Sequence, residues 1–545
     1  MARRALILAL LVSLAAAAPA AASRYVAPNG SGALFLFSGH GFGHGVGMSQ
    51  YGAYGYAQHG YTYDQILAHY YPGTTLGTSP VTTIRVLLAN KKAALTISSD
   101  HDLTVTDGNG ATHTLRAGKT KLGPKLLLAA DGQPAAPLAP PLRFSPADGS
   151  TLTLGRAYRG QILVDVVDGR LRAIDVVGLQ DYLDGVVPAE MPAGWSPEAL
   201  KAQAIAARSY ALATRVAAAP YDIDSTGQAY LGAARETPAT DAAVDATAGQ
   251  VLFFGAKIAT TYYSSTSGGE TESASDVWGG VSPPYLVAVP DPYDAISPYH
   301  DWGPVPVPAR TIATKLKVPG RILDAATTPN AAGRVATLDV ASLAGTPAAQ
   351  TTTPVPATVV RSKLGLRSTW FGVGVLSLLL PPATRVVFGA QVTLSGLVRG
   401  VDGVVVEQRN MHLKWSELSP VAPAADGTLS LVATPQITTD YRLATPDVAA
   451  AFVRVQVVPR VTVTALTATA VTGSELPALP GATVQIQQQS PPGTVPLWRT
   501  IARGRIDANG AFSVPVSLQH GTYRALVAPG HGYWPGASAA ATLDG

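Results

Sequence analysis

The last third of this chain repeats itself. Trp415, Gly427 and the pair Tyr441-Arg442 are echoed by Trp498, Gly510 and Tyr523-Arg524, at offsets of 83, 83 and 82 residues. Both sets lie in runs that alternate apolar and polar residues, broken by an Asp-Gly turn in the first and an Asn-Gly turn in the second. Period-two alternation buries one face of a strand, and those dipeptides favour tight hairpins. A repeat of this length built from short strands suits a β-sandwich better than a solenoid unit. The spacing predicts two related domains, over residues 380–459 and 460–545. With 545 residues the chain exceeds one hydrophobic core, so a larger unit precedes them.

Apolar residues make up 47% of the chain, enough to build cores although only 14% of residues are charged. The formal net charge of +4 includes Arg3 and Arg4, which fall in a segment expected to be removed. What remains is nearly neutral and gives no case for nucleic acid. A basic start, an apolar run and the small residues Ala20, Ala21 and Ala22 before Ser23 read as a secretory signal peptide over residues 1–22, with an uncleaved anchor as the alternative. No other stretch approaches the ~20 apolar residues of a membrane span. The expected protein is secreted, extracellular or wall-associated, without a transmembrane anchor after cleavage. It has no cysteine, hence no disulfide and no thiolate metal site.

Between leader and repeats the pattern changes twice. Thr62 and Gln65 have capping-box spacing ahead of an apolar helical run. Residues 82–178 then show short alternating runs and turn dipeptides, which predict a β-rich subdomain. Ser196, Pro197 and the Ala-rich stretch after them predict a helix over residues 197–215. A hairpin over 251–263, a small-residue loop and further strands and polar loops to about residue 373 complete the unit. The expected fold is an α+β catalytic domain over 35–375 with an inserted β-rich subdomain, followed by two small all-β sandwich-like domains.

Three segments in this unit could carry chemistry. Residues 39–47 place five glycines at alternate positions, which prevents regular packing and lets backbone approach a ligand or another segment closely. His40 and His44 lie in this run. No third ligand accompanies them, so a structural or sugar-contacting role outweighs a metal. The second segment holds Glu190 among Val186, Val187, Pro188, Ala189, Met191 and Pro192. A partly desolvated carboxyl there would have a raised pKa, as a general acid needs near neutral pH. A surface residue or a cap for the following helix is the plain alternative. The third segment, from Tyr262 through Ser264 and Ser267 to Trp278, offers hydroxyls and rings but neither nucleophile-elbow nor S-x-x-K context, and reads equally as a polar loop.

Taken together these segments resemble the SpoIID/LytB family of sporulation and cell-wall remodelling. The matching stretches are GHGVGMSQYGA with YDQILAHYYPGT, YLDGVVPAEMPAGWSPEALKAQAIAARSYAL, YYSSTSGGETESASDVWGG with PYL, and LGLRSTWF. In familiar members the GHGVGMSQ segment follows the LGLRS segment, whereas here it comes first. The resemblance implies a lytic transglycosylase in which Glu190 protonates the glycosidic oxygen between N-acetylmuramic acid and N-acetylglucosamine. The resulting carboxylate then takes the proton of the muramyl C6 hydroxyl, giving a 1,6-anhydro end without water. It also implies peptidoglycan glycan strands as partner, with a cell-wall amidase as a further one, because LytB-like members act as amidase enhancers. Contacts to the strand are expected from His44, Gln50, Tyr51, Arg208, Ser264, Ser267 and Trp278. No cofactor is expected, and no structural zinc, since the cysteines that bind it in some members are missing. Residues 39–52 must then pack against Glu190, with the domains beyond 380 standing apart from the groove.

Overall fold

The computed structural model describes residues 24–544 apart from 31, 148, 217, 225–226, 411–412 and 491–496. The expected leader over residues 1–22 lies outside the described residues. Strand Leu34–His40 reads Leu-Phe-Leu-Phe because both of its faces are covered. Phe35 and Phe37 enter a core with Trp302, Ile312, Leu338, Val360 and Phe371. Leu34 and Leu36, pointing the other way, enter a second core with Leu394, Val406, Leu443 and Val455. The strand pairs antiparallel with Asp301–Pro308 on one edge and with Phe371–Leu378 on the other. The sheet then runs on through Val392–Arg399 and Thr428–Ala433.

That sheet corrects one expectation. The first repeat does not stand apart, because it shares strands and a core with the N-terminal unit. Strand Tyr25–Val26 also pairs with Val448–Ala449, and Arg24 bonds Glu407 at 2.8 Å. Nothing in the alternation of residues 371–378 distinguishes a strand closing one unit from a strand joining two.

The second repeat packs strands Arg460–Leu466, Ala470–Leu476 and Ala511–Pro515 in one sheet and Trp498–Arg505, Thr483–Gln489 and Gly521–Val527 in another. Val471, Val484, Ile486, Phe512 and Val527 form its own core. The echoed residues meet in the same way in both copies. The guanidinium of Arg442 lies 3.9 Å from the Trp415 ring centre, and that of Arg524 lies 4.2 Å from Trp498. Gly427 and Gly510 both adopt positive φ, at 86° and 80°.

Within the larger unit, residues expected to be β-rich form a sheet in which Thr83–Lys92, Arg170–Gly178, Gln161–Val167 and Leu142–Ser145 are neighbours, with a four-stranded sheet beside it. Helices Gln50–Gln58, Tyr63–Tyr70, Leu179–Glu190, Pro197–Ala213 and Pro238–Ala246 gather around a separate core that includes Ile66, Tyr70, Tyr182, Val186, Ile205 and Val244. The capping box forms as expected, the Thr62 backbone N–H donating to Gln65 Oε1 at 3.0 Å. Where strands and polar loops were expected up to residue 373, the chain also forms helices Ala309–Leu316 and Ala357–Leu364. Both are only eight residues long, too short for propensity alone to hold a helix, so tertiary packing decides.

Candidate functional site

Glu190 is the last residue of helix Leu179–Glu190, whose Tyr182, Leu183, Val186 and Val187 are buried. The chain turns extended at Met191, and the Glu190 side chain projects from the C-terminal end of the helix. It receives the Ala229 backbone N–H at 3.0 Å and the Gln50 amide at 3.3 Å, and the Tyr263 hydroxyl also faces it. Burial is the dominant influence and raises its pKa, against the pull of those donors. The negative end of the helix dipole acts in the same direction. Gln228 orders the surroundings: its amide donates to Tyr263 Oη at 2.9 Å, and its carbonyl oxygen accepts from Tyr182 Oη at 2.9 Å. Gln203, fully buried, accepts from Gln50 at 3.4 Å and leaves its own Nε2 without a partner among the described residues.

Gln50 reaches Glu190 across 140 residues because the glycine run folds onto the third segment. Phe42 N–H donates to the Thr266 carbonyl at 2.8 Å, Gly45 N–H to Ser264 Oγ at 3.3 Å, and Tyr51 N–H to the Ser265 carbonyl at 3.0 Å. Strand Met48–Ser49 runs parallel to Tyr263–Ser264. Gly47 adopts φ of 73°, and a Cβ there would sit 2.1 Å from the Tyr262 carbonyl oxygen. Only glycine fits. Ser49 caps helix Gln50–Gln58 by accepting the Gly52 N–H at 3.0 Å, which sets Gln50 in the first turn.

Two buried carboxylates clamp the junction. Asp294 accepts Ser49 Oγ at 2.7 Å and the backbone N–H groups of Ser267 and Gly268 at 3.0 and 2.9 Å. Asp291 accepts Tyr70 Oη at 2.8 Å and Ser267 Oγ at 2.7 Å. Burial, then the neighbouring Asp294 charge, push Asp291 up to about 7. Because its unfolded pKa is about 4, the folded state holds this proton more tightly. The resulting stabilisation is full below pH ~4 and disappears as pH rises to about 7. Melting curves should therefore show a lower midpoint at pH 8 than at pH 5. Asp291→Asn should narrow that gap, and an unchanged gap would remove Asp291 as its cause.

The expected contact residues divide. Gln50 touches Glu190 directly. Tyr51, half-buried beside it, packs edge-on against Trp195 at 4.7 Å. From Glu190 a row of rings leads away: Tyr210, a near neighbour of Glu190, then Tyr262 at 5.5 Å, Trp278 at 4.6 Å and His44 at 5.4 Å. Trp278 is 39% exposed, and the other three are half-buried. Burial, reinforced by Arg361 and Arg334, pushes His44 down to about 3, so its imidazole is neutral.

Arg208, Ser264 and Ser267 lie elsewhere than expected. Arg208 is fully buried and donates to the carbonyls of Gln250 and Val244 and to Gln180 Oε1. Ser264 and Ser267 are buried and hold Gly45 and Asp291. These three tie the fold together rather than line a surface. His40 pairs with Asp301 at 2.6 Å beside a cavity of about 350 Å³ lined also by Trp302 and Trp370, away from the residues that bond Glu190. Among the described residues no cluster of three or more His, Asp or Glu is arranged to hold a metal.

Sequence reasoning gave no individual role to Tyr263, Trp195, Tyr210 or the Ala229 N–H, and it read Gln203 only as a solvated or structural residue. Gln203 had a readable signal, as an amide set between Ala202 and Ala204 in an Ala-rich helix. A backbone donor such as Ala229 has none.

Residues 167–254, which include Glu190 and Arg208, match the SpoIID family, described as Stage II sporulation protein. The chain carries a SpoIID-family domain. The glycine run and residues 262–279 lie outside the matched stretch and join it by packing. An uncharacterized protein of Brachyspira hyodysenteriae is 37% identical over 27% of this chain and 40% of its own length. The amidase enhancer of Bacillus subtilis is 43% identical over 21% of this chain and 15% of its own. Stage II sporulation protein D of Bacillus subtilis is 35% identical over 23% of this chain and 42% of its own. The chain thus spans less than half the length of each of these relatives. No helix among the described residues is long and apolar enough to cross a membrane.

Proposed function

We propose that this SpoIID-domain protein is a secreted bacterial cell-wall enzyme that cleaves peptidoglycan glycan strands lytically through Glu190. The observation that carries the reading is the contact between Gln50 and Glu190, which builds one site from two motifs far apart in sequence. Burial raises the Glu190 pKa, keeping the carboxyl protonated to higher pH than a surface glutamate. The acid gives its proton to the glycosidic oxygen as the bond breaks. The carboxylate left behind removes the proton of the muramyl C6 hydroxyl, which closes on C1. Gln50, Tyr263 and the Ala229 N–H stabilise that carboxylate between the two transfers. A single carboxyl serves both steps, whereas ordinary glycoside hydrolysis generally uses a pair.

The test is mass spectrometry of peptidoglycan digested by the purified protein. Fragments ending in 1,6-anhydro-muramic acid are expected. Free reducing ends would mean hydrolysis and overturn the lytic step. The match to an amidase enhancer supports a second reading, a wall-binding protein that assists an amidase. Strand binding and amidase stimulation with no fragment release would establish it.

A further inference from the structure

The segment that lies behind the glycine run carries two cations that the cleavage chemistry does not use. Arg361, in the last turn of helix Ala357–Leu364, donates through Nε to the carbonyl of Arg367 at 3.1 Å. The same carbonyl accepts the Gly43 N–H at 3.0 Å, so the Arg361 guanidinium is held beside the Gly43-His44 backbone. The Arg367 guanidinium lies 4.2 Å from the Tyr299 ring centre and 5.4 Å from that of Phe42. Tyr299 in turn neighbours Tyr51, which follows Gln50.

Neither cation has a carboxylate partner among the described residues. The contrast is with Arg334 close by, whose Nε lies 3.1 Å from Glu272 and whose charge is thereby balanced. For Arg361 the other charge that acts on it is that same Arg334, of like sign. A half-buried guanidinium left without a counter-charge costs free energy unless an anion arrives. His44, kept neutral at the end of the ring row that leads from Glu190, adds no charge of its own to oppose one.

We infer that Arg361 and Arg367 form a receptor for a carboxylate carried by the bound glycan strand, beside the Gly43-His44 backbone. This rests on the glycan reading of the site. Planar guanidinium groups match carboxylates through paired N–H donors, and the aromatic faces under Arg367 hold it in one orientation. The receptor makes the protein selective for acidic strands over neutral ones. Two sources have this chemistry: the lactyl group of muramic acid, free once stem peptides are removed, and the carboxylates of the stem peptides themselves.

The experiment measures binding to the full mature chain carrying Glu190→Gln, so that strands stay intact. Four ligands are compared: strands stripped of peptides, the same strands with the lactyl carboxyl reduced to an alcohol, peptide-bearing strands, and peptide-bearing strands with their carboxylates amidated. We expect loss of the carboxylate to weaken binding at least tenfold, as for a charge-assisted bidentate contact. A loss confined to the stripped pair places the carboxylate on the sugar, and one confined to the peptide-bearing pair places it on the peptide. Arg361→Gln and Arg367→Gln should each lower affinity for the carboxylate form and leave the neutral form unchanged. If Arg361→Gln also lowers the melting midpoint, the comparison of acidic with neutral strands on unaltered arginines decides alone. Equal affinity for acidic and neutral strands overturns the receptor and leaves the cleavage reading standing. Binding of none overturns both.

Discussion

Glu190→Gln should lower release of glycan fragments by a factor on the order of 10²–10⁴, the range typical of a general acid-base group. Glutamine keeps the size of the side chain and can still accept the Ala229 N–H, now bonded at 3.0 Å. It has no proton to give the leaving oxygen, and an amide is a poor base for the C6 hydroxyl. The melting curve should stay where it is, because the neighbours Gln50, Tyr263 and Gln228 have partners of their own to fall back on. The pH profile of the unaltered protein supplies a second check. Burial raises the Glu190 pKa, so activity that needs the protonated acid falls on the alkaline side at a higher pH than it would for a solvated glutamate. Activity of Glu190→Gln within tenfold of the parent would remove Glu190 from the chemistry.

Much of the arrangement was readable because it rests on local rules. The helix expected over residues 197–215 is Pro197–Ala213, with Pro197 in its first turn. The echoed Trp and Arg residues meet ring to guanidinium in both repeats, a likeness that the matched offsets suit although they did not specify the contact. Residues 39–52 were expected against Glu190 on the strength of the resemblance, and the chain brings them there. It does so beside strand Phe371–Leu378, so the early glycine run and the late LGLRS segment are adjacent in space although they open and close the unit in sequence.

What could not be read was depth. Arg208 and Ser267 stand in motifs and have the chemistry of sugar contacts, yet both are buried and bonded to the backbone or to Asp291. A cation or hydroxyl in a short motif has the same letters whether it lines a groove or props it up from behind. For Arg208 the clue lay in its neighbours, since Ala204, Ile205, Ala207, Ala211 and Leu212 give its stretch of the helix a largely apolar surface. The shared sheet was invisible for a different reason. Strand pairing between residues 371–378 and 392–399 is a choice among edges, and alternation alone does not specify the edge.

Glu272→Ala should destabilise the unit that carries the site by about 3–5 kcal/mol, the usual result of removing one partner from a buried ion pair. Glu272 and Arg334 are 1% and 2% exposed, and their charged atoms lie 3.1 Å apart. Glu272 also accepts the Asn330 amide at 2.6 Å, and its backbone N–H donates to the Gly45 carbonyl at 2.9 Å. Arg334 in turn donates to the carbonyls of Ser267 and Glu270 at 2.9 and 2.7 Å and lies over the Trp370 ring. The pair is thus placed between the glycine run and the loop beneath it. Without Glu272 a buried guanidinium loses its ion-pair partner and keeps only the weaker influence of Glu270 and Asp294, and its position against Gly45, where a Cβ would sit 2.9 Å from Nη2, gives it little room to turn outward. Hydrogen exchange at Gly45, Val46 and Ser267 reads the loss where it occurs, which a single melting temperature of a multidomain chain does not. Arg334→Met should cost a comparable amount. The double variant should cost clearly less than the two singles together, because the stranded charge is then gone. Protection at those amides unchanged in Glu272→Ala would show that the glycine run is held by its backbone bonds and the Asp291–Asp294 clamp alone.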